Sequence, residues 1–221
     1  MNNTYHKIFN HADGFIADLQ QSAKALNLTF SQTQLHQLLA YLDNLLLWTK
    51  VYNLTAITVP KEAFIKHILD CLAIIAGLPF ADKSDVSVLD IGTGAGLPAV
   101  IIAIMRPDWQ VVALDSNGKK VRFIRQMAGE LGLDNITPVA RRIEDFEGVF
   151  DVITSRAFAS LDDFTQLANP YLKVGGVLYA MKGKMPTDDE VARLVDWQVQ
   201  IKPISVPQMS DERCVVYLSR V

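Results

Sequence analysis

Residues 88 to 98 read Val-Leu-Asp-Ile-Gly-Thr-Gly-Ala-Gly-Leu-Pro, and Asp115 closes a further apolar run, Val111-Val112-Ala113-Leu114. A short β-branched run, a glycine turn, a helix-like stretch and a second acid-tipped strand are the parts of a pocket for an adenosine-bearing cofactor. The glycine spacing decides which cofactor. A dinucleotide fingerprint, G-x-G-x-x-G, seats a pyrophosphate on a helix N-terminus. Here Asp90 precedes Gly92-x-Gly94-x-Gly96. That arrangement suits S-adenosylmethionine, which has no phosphate to cradle but carries an α-ammonium and a sulfonium that favour carboxylate and carbonyl oxygens. The pattern predicts a methyltransferase.

In an open α/β sheet the ligand lies beyond the carboxyl ends of the strands, where strand order reverses. The turn Gly92-Thr93-Gly94-Ala95-Gly96 is expected there, its missing Cβ atoms letting the methionine part approach backbone. Asp115, with Ser116 beside it, is placed to accept hydrogen bonds from ribose hydroxyls. Asp90 either bonds the turn's own amides or meets the cofactor directly. Arg142-Ile143-Glu144-Asp145 follows a third strand, where Ile143 could pack on an adenine ring or simply form a connecting loop.

The stretch Ser155-Arg156-Ala157-Phe158-Ala159 after a fourth strand faces the methyl group in this architecture and so selects the acceptor. Enzymes that methylate exocyclic amines of bases commonly carry Asn/Asp-Pro-Pro-aromatic here, which this is not. Methylation of pyrimidine C5 needs a cysteine nucleophile, and neither Cys71 nor Cys214 sits on a catalytic loop. Arg156 suggests a fork for a phosphate or a carboxylate. An acceptor with a free lone pair, such as guanine N7, needs no base; alignment and exclusion of water supply the rate enhancement. Lys182 ends a fifth strand over the same edge, where it either joins Arg156 as a candidate catalytic residue or is an ordinary solvated strand end. His67 and Asp70, one helical turn apart, either orient each other at the pocket mouth or are structural.

These groups must be held by a scaffold. Strands are predicted at 86–91, 110–115, 136–140, 150–154 and 174–181, with helices notably at 117–132 and 160–171. Such alternation implies a parallel sheet with right-handed crossovers. Two further strands, 199–206 and 214–218, are expected as a closing antiparallel hairpin. The fold class is therefore α/β: a Rossmann-like, seven-stranded, mostly parallel sheet with helices on both faces. Ahead of it, Ser31 with Gln34 forms a capping box for an amphipathic helix over 31–50, and Pro60 opens a second helix that stops before Gly77. A weaker helical pattern covers Ile8 to Leu26. Residues 1–79 read as a helical cap and 80–221 as the cofactor-binding domain, packed as one compact unit.

At 221 residues the chain can bury one good core. Its longest apolar run, Leu97 to Met105, is nine residues, short of the roughly 20 that span a bilayer. No secretory leader is evident, and two distant cysteines suggest neither a disulfide framework nor a zinc site. A reduced cytoplasmic monomer without metal or membrane is expected. The net charge of −3 argues against a general nucleic-acid coat. Locally, though, Lys119, Lys120, Arg122, Arg125, Arg141 and Arg142 face only Glu130 and Asp134, giving a window of +4 that is either an RNA contact or a solvated face.

Six segments occur together in order: Tyr52-Asn53-Leu54-Thr55, His67-Ile68-Leu69-Asp70, Asp90 to Pro98, Leu114-Asp115-Ser116 with Gly118 to Phe123, Ser155 to Ala159, and Met181-Lys182-Gly183. Together they resemble the ribosomal RNA small subunit methyltransferase G family, also called glucose-inhibited division protein B, from about Leu35 onward. The resemblance implies methylation of guanine N7 in a hairpin loop of 16S rRNA near the decoding site, with S-adenosylmethionine, in the bacterial cytoplasm. It carries cofactor contacts onto Gly92, Leu97, Ile143, Glu144 and Arg156, and RNA-binding or transfer-supporting basic residues onto Lys119, Arg122, Arg142 and Lys182. Arg125 joins them from the basic window. The sequence departs from the family at Lys120, where arginine is expected, and over the first 25 or so residues. The residues alone leave open a small-molecule or protein methyltransferase, in which the basic window is mere surface, and a cofactor-sensing ribosome-binding module without turnover.

Overall fold

A computed structural model describes residues 12–156 and 160–221. The start of the first predicted helix and Ala157-Phe158-Ala159 of the acceptor segment lie outside the described residues. From Val86 onward the apolar period shortens, and seven strands form: β1 (Ser87–Ile91), β2 (Gln110–Asp115), β3 (Ile136–Ala140), β4 (Phe150–Ser155), β5 (Leu172–Lys182), β6 (Trp197–Pro203) and β7 (Cys214–Arg220). They form one sheet in the order β3-β2-β1-β4-β5-β7-β6. The first five are parallel, and β7 runs antiparallel between β5 and β6. The expected hairpin closes the sheet, with its second strand inserted inside the first.

Strands covered on both faces read as near-continuous apolar runs because each side of the pleat needs a hydrophobic partner. Val88, Val111, Ala113, Val152 and Tyr179 point into a core shared with helices α1 (Ala12–Ala25), α2 (Gln32–Tyr52), α4 (Asp70–Ile75), α5 (Ala99–Met105) and α6 (Gly118–Leu131). Their neighbours Leu89, Ile153 and Leu178 point the other way, onto Leu161, Phe164 and Ala168 of α7 (Leu161–Ala168). A short helix α8 (Asp188–Ala192) precedes β6. The N-terminal helices therefore share the first of these cores with the sheet.

The capping box of Ser31 and Gln34 is present, and α2 ends on Asn53 in the left-handed conformation. Side chains of α2 fix the layer beneath: Gln34 donates to Ile104 O at 2.9 Å, Gln37 to Leu131 O at 2.7 Å.

Three expectations need correction. The helix from Pro60 is not uniform; α3 (Pro60–Ala63) passes into a π-helical turn, Phe64–Leu69, before α4. The amide of Asp70 reaches back to Ile65 O, a spacing that a 3.6-residue apolar period does not report. The helix at 160–171 ends at Ala168, because Pro170 lacks the N–H to continue it, and Asn169–Tyr171 tightens into a 3-10 turn. β5 consequently begins two residues early and takes up a register shift beside β4. Likewise, β6 stops at Pro203 on the sheet edge, where a missing donor is tolerated.

Candidate active site

The order around β1 places the reversal between β1 and β4, and the predicted residues gather at the carboxyl ends of those strands. The glycine turn is docked on the tip of β2. Gly92 N and Thr93 N donate to Leu114 O at 2.9 and 3.1 Å, and Gly94 N donates to Asp115 Oδ2 at 2.8 Å. Asp115 Oδ1 accepts from Asn117 N at 2.8 Å, and the Asn117 side chain in turn caps α6 by accepting from Lys119 N and Lys120 N. The acid read as a ribose acceptor thus also locks the turn to the helix. Each carboxylate oxygen keeps a second lone pair for a ligand.

A cavity of about 450 Å³ opens beside this lock, lined by Gly92, Asp115, Ser116, Ile143 and Glu144, with Arg142 and Lys120 at its walls. Its size falls within the roughly 300–1,000 Å³ of small-molecule sites. Its donor and acceptor set fits an adenosine: a carboxylate at the strand tip, the apolar side chain of Ile143 for a flat ring, and polar backbone around it. Thr93, Gly94, Gly96, Leu97 and Arg156, also expected at the cofactor, are not among the residues lining this wall, and Arg156 lines a different cavity. Thr93 is buried and donates to Asp90. Leu97 belongs to the hydrophobic core. Gly96 has φ +96°, and a Cβ there would lie 2.6 Å from Val100 Cγ2. Its glycine serves the packing of α5 and α6. At Gly94 (φ +62°) a Cβ would meet nothing within 4 Å, so this glycine borders open space.

Asp90 takes the structural role. It is fully buried, and its Oδ2 accepts from Thr93 Oγ1 at 2.5 Å and Ala99 N at 3.2 Å, while Oδ1 has no partner among the described residues. Burial pushes its carboxyl up to about 7, against the pull of those donors. The native state therefore keeps the Asp90 proton between about pH 4 and 7, where the unfolded chain has released it. Stability from this group is present below the unfolded value and is lost as pH rises through the folded one. His67 works at the other end: burial, aided by the Arg156 guanidinium, lowers it to about 4, so its cost appears as pH falls from about 6.5. Comparing wild type with Asp90→Asn isolates the first effect. The stability difference should move in the variant's favour by roughly 4 kcal/mol between pH 4 and 7 in urea titrations; a pH-independent difference contradicts this account.

On the far side of β1 the acceptor groups meet. Arg156, at the end of β4, sets its Nη1 3.5 Å from Cys71 Sγ and 3.6 Å from Asp70 Oδ2. His67 does not pair with Asp70; its Nε2 lies 2.9 Å from Thr55 Oγ1. Asp70 instead bridges to Arg213, whose Nε stands 3.1 Å from Oδ1. Arg156 and Lys182 line one smaller cavity with Asp70 and Arg213. Ser155 donates to Ile91 O at 2.8 Å, tying β4 to β1. Cys71 is fully buried and its thiol is pushed up to about 12 by that burial, which removes it as a nucleophile.

Two contributors carried no sequence signal. Tyr41, on the apolar stripe of α2, donates to Ala95 O at 2.8 Å, so the cap holds the glycine turn from behind. Arg213 lies on an unmarked loop before β7. Lys119, Arg122, Arg125, Arg141 and Arg142 are exposed along α6 and the end of β3, and among the described residues none is in an ion pair.

A parallel sheet closed by an antiparallel hairpin, with a glycine turn locked to an acid at the tip of β2, is the architecture of S-adenosylmethionine-dependent methyltransferases. Solved structures agree on the fold. A SAM-dependent methyltransferase from Aquifex aeolicus superposes with a TM-score of 0.54 at 18% identity, covering 72% of this chain and 93% of that one. TYW2 from M. jannaschii, in complex with AdoMet, gives 0.53 at 15% identity over 70% and 76%. The model of the GidB family, rRNA small subunit methyltransferase G, matches residues 34–216, and the chain belongs to this family. Ribosomal RNA small subunit methyltransferase G of Psychrobacter cryohalolentis is 56% identical over 202 residues, 91% of this chain and 83% of the relative. That of Acinetobacter baylyi is 43% identical over 212 residues, 94% and 98%.

Proposed function

We propose that this S-adenosylmethionine-dependent rRNA methyltransferase modifies guanine N7 in a hairpin loop of 16S rRNA near the decoding site, acting as a cytoplasmic monomer on the RNA or the small-subunit particle. The observation that carries the reading is the shared carboxyl edge of β1, which has a cavity with donors and acceptors suited to adenosine on one side and a basic cavity on the other. The helices up to residue 79 serve as a cap that fixes the turn, and 80–221 bind cofactor and RNA. No described helix is long and apolar enough to cross a membrane, and no group of three or more His, Cys, Asp or Glu among the described residues could hold a metal ion.

S-adenosylmethionine supplies an electrophilic methyl group on a sulfonium. Asp115 and Ser116 hold the ribose hydroxyls, Ile143 packs against the adenine, and Glu144 and the Gly92 backbone close the wall. Arg156 and Lys182 hold the anionic RNA on the acceptor side. Guanine N7 carries no proton, so in-line alignment in a water-poor site carries catalysis. The neighbouring titratable groups fit this: Asp70 is held by two arginines, Cys71 is a protonated thiol, and His67 is neutral and bonded to Thr55.

Mass mapping of small-subunit RNA from cells with and without the gene is expected to show one guanine that loses its methyl group, restored by the purified protein and labelled methyl donor. Identical maps overturn the reading. An inflection near neutrality in the single-turnover rate that survives Asp90→Asn would contradict catalysis by positioning.

A further inference from the structure

The second cavity, of about 230 Å³, lies between α4 and the β5–β7 edge, lined by Asp70, Arg156, Lys182, Arg213 and the apolar Ile74 and Ile204. It is smaller than the roughly 300 Å³ at which small-molecule sites begin, so it suits a single compact group. Among the described residues Asp70 is the sole acid on its wall, and it is shared by two arginines, one on each carboxylate oxygen. These three side chains alone leave an excess positive charge, and Lys182 stands on the same wall. The guanidinium groups are largely withdrawn from water, with side chains 27% exposed for Arg156 and 22% for Arg213. Excess charge held in a half-dry cleft is costly until an anion enters.

The geometry of Arg213 leaves it able to bind one. Its Nε is spent on Asp70 and its Nη1 on Glu212 O at 2.8 Å, while Nη2 makes no hydrogen bond among the described residues. Asp70 fixes the orientation of both forks, and planar guanidinium forks match phosphate oxygens well. The cavity sits beyond β4 and β5, on the opposite side of β1 from the cavity lined by Gly92, Asp115 and Ile143. RNA loops are read with the base splayed out and the backbone held beside it. We propose that this cavity binds a backbone phosphate of the RNA strand next to the methylated guanine, with Arg213 and Arg156 as its forks and Asp70 as their positioning residue. This assignment rests on the function proposed above, and it adds Arg213 and Asp70 to that site.

The test uses the full chain and a hairpin RNA carrying the mapped guanine. For Arg213→Ala, calorimetry with S-adenosylmethionine should give an unchanged affinity. Filter binding across salt should give about tenfold weaker RNA binding and a log–log salt slope reduced by about 0.7, as for loss of one contact to a single strand. In the wild-type protein, a neutral methylphosphonate linkage beside the target guanine should lower the slope equally, and the two changes should not add; this measurement holds even if the variant folds poorly. An unchanged slope in both arms overturns the proposal. So does a loss of S-adenosylmethionine affinity with RNA binding intact, which assigns the cavity to the cofactor's carboxylate. If wild type neither binds nor methylates the hairpin, it is the function itself that fails; if wild type methylates it while Arg213→Ala and the neutral linkage leave the slope unaltered, only this cavity's role fails.

Discussion

Replacing Asp115 by alanine is expected to weaken S-adenosylmethionine binding by roughly 10- to 100-fold, the equivalent of about 1.5–3 kcal/mol for hydrogen bonds to a charged acceptor. The loss has two sources. The ribose hydroxyls lose their carboxylate, and Gly94 N and Asn117 N lose the acceptor that holds them at 2.8 Å each. Asparagine separates these contributions, because its single carbonyl oxygen can serve one of the two amides while its NH2 confronts the other donor. Its affinity should fall between those of wild type and alanine. Thermal melts without cofactor should show a modest stability loss of about 1–2 kcal/mol for Asp115→Ala, since the turn stays anchored through Leu114 O. Unchanged cofactor affinity by calorimetry removes the ribose assignment.

Gly96→Ala is the change expected to damage the fold most for the addition of one methyl group. A left-handed residue bearing a Cβ costs about 1–2 kcal/mol, and overpacking a filled site costs about 1–3 more. At φ +96° the new Cβ would lie 2.6 Å from Val100 Cγ2 and 3.2 Å from Ile124 Cγ1. Both side chains are fully buried. A total near 3 kcal/mol lowers Tm by roughly 10 °C in a chain of this size. Gly94→Ala is the control, because its backbone is also left-handed but the added carbon meets no atom within 4 Å; it should cost only about 1–2 kcal/mol. Equal losses at the two positions would show that conformation, not packing of α5 against α6, makes glycine necessary at Gly96.

The contrast between these glycines shows where reading the chain succeeds and where it stops. The end of each strand is marked locally, and parallel strands share a carboxyl edge, so Gly92, Asp115 and Ile143 could be assigned to that edge before any contact was known; the cavity is lined by all three. Spacing does not say which way each glycine's missing side chain would face. Gly96 and Leu97 belong to the same motif yet face the interior, where Val100 and Ile124 crowd Gly96 and Leu97 joins the hydrophobic core. Helical spacing likewise put His67 and Asp70 on neighbouring turns, but partners from other elements took each of them: Thr55 from the preceding loop, and Arg156 and Arg213 from segments that flank β4 and β7 much later in the chain.

From the chain alone came the alternation that makes a parallel sheet, the turn and acid that suit a sulfonium cofactor, the basic window, and the ordered motifs that mark the family. The alternation and each single motif rest on periodicity or on neighbours within a few residues, where covalent geometry restricts the outcome, and the family rests on the order of those motifs along the chain. Only the tertiary structure decided that Tyr41 holds the turn from behind, that Asp90 is sealed away with one oxygen unpartnered among the described residues, and that Asp70 joins two arginines into a basic cavity. Asp70 and Arg213 are separated by 143 positions. Their pairing follows from β7 entering the sheet beside β5, and burial makes each buried charge take whichever opposite charge packing brings within reach.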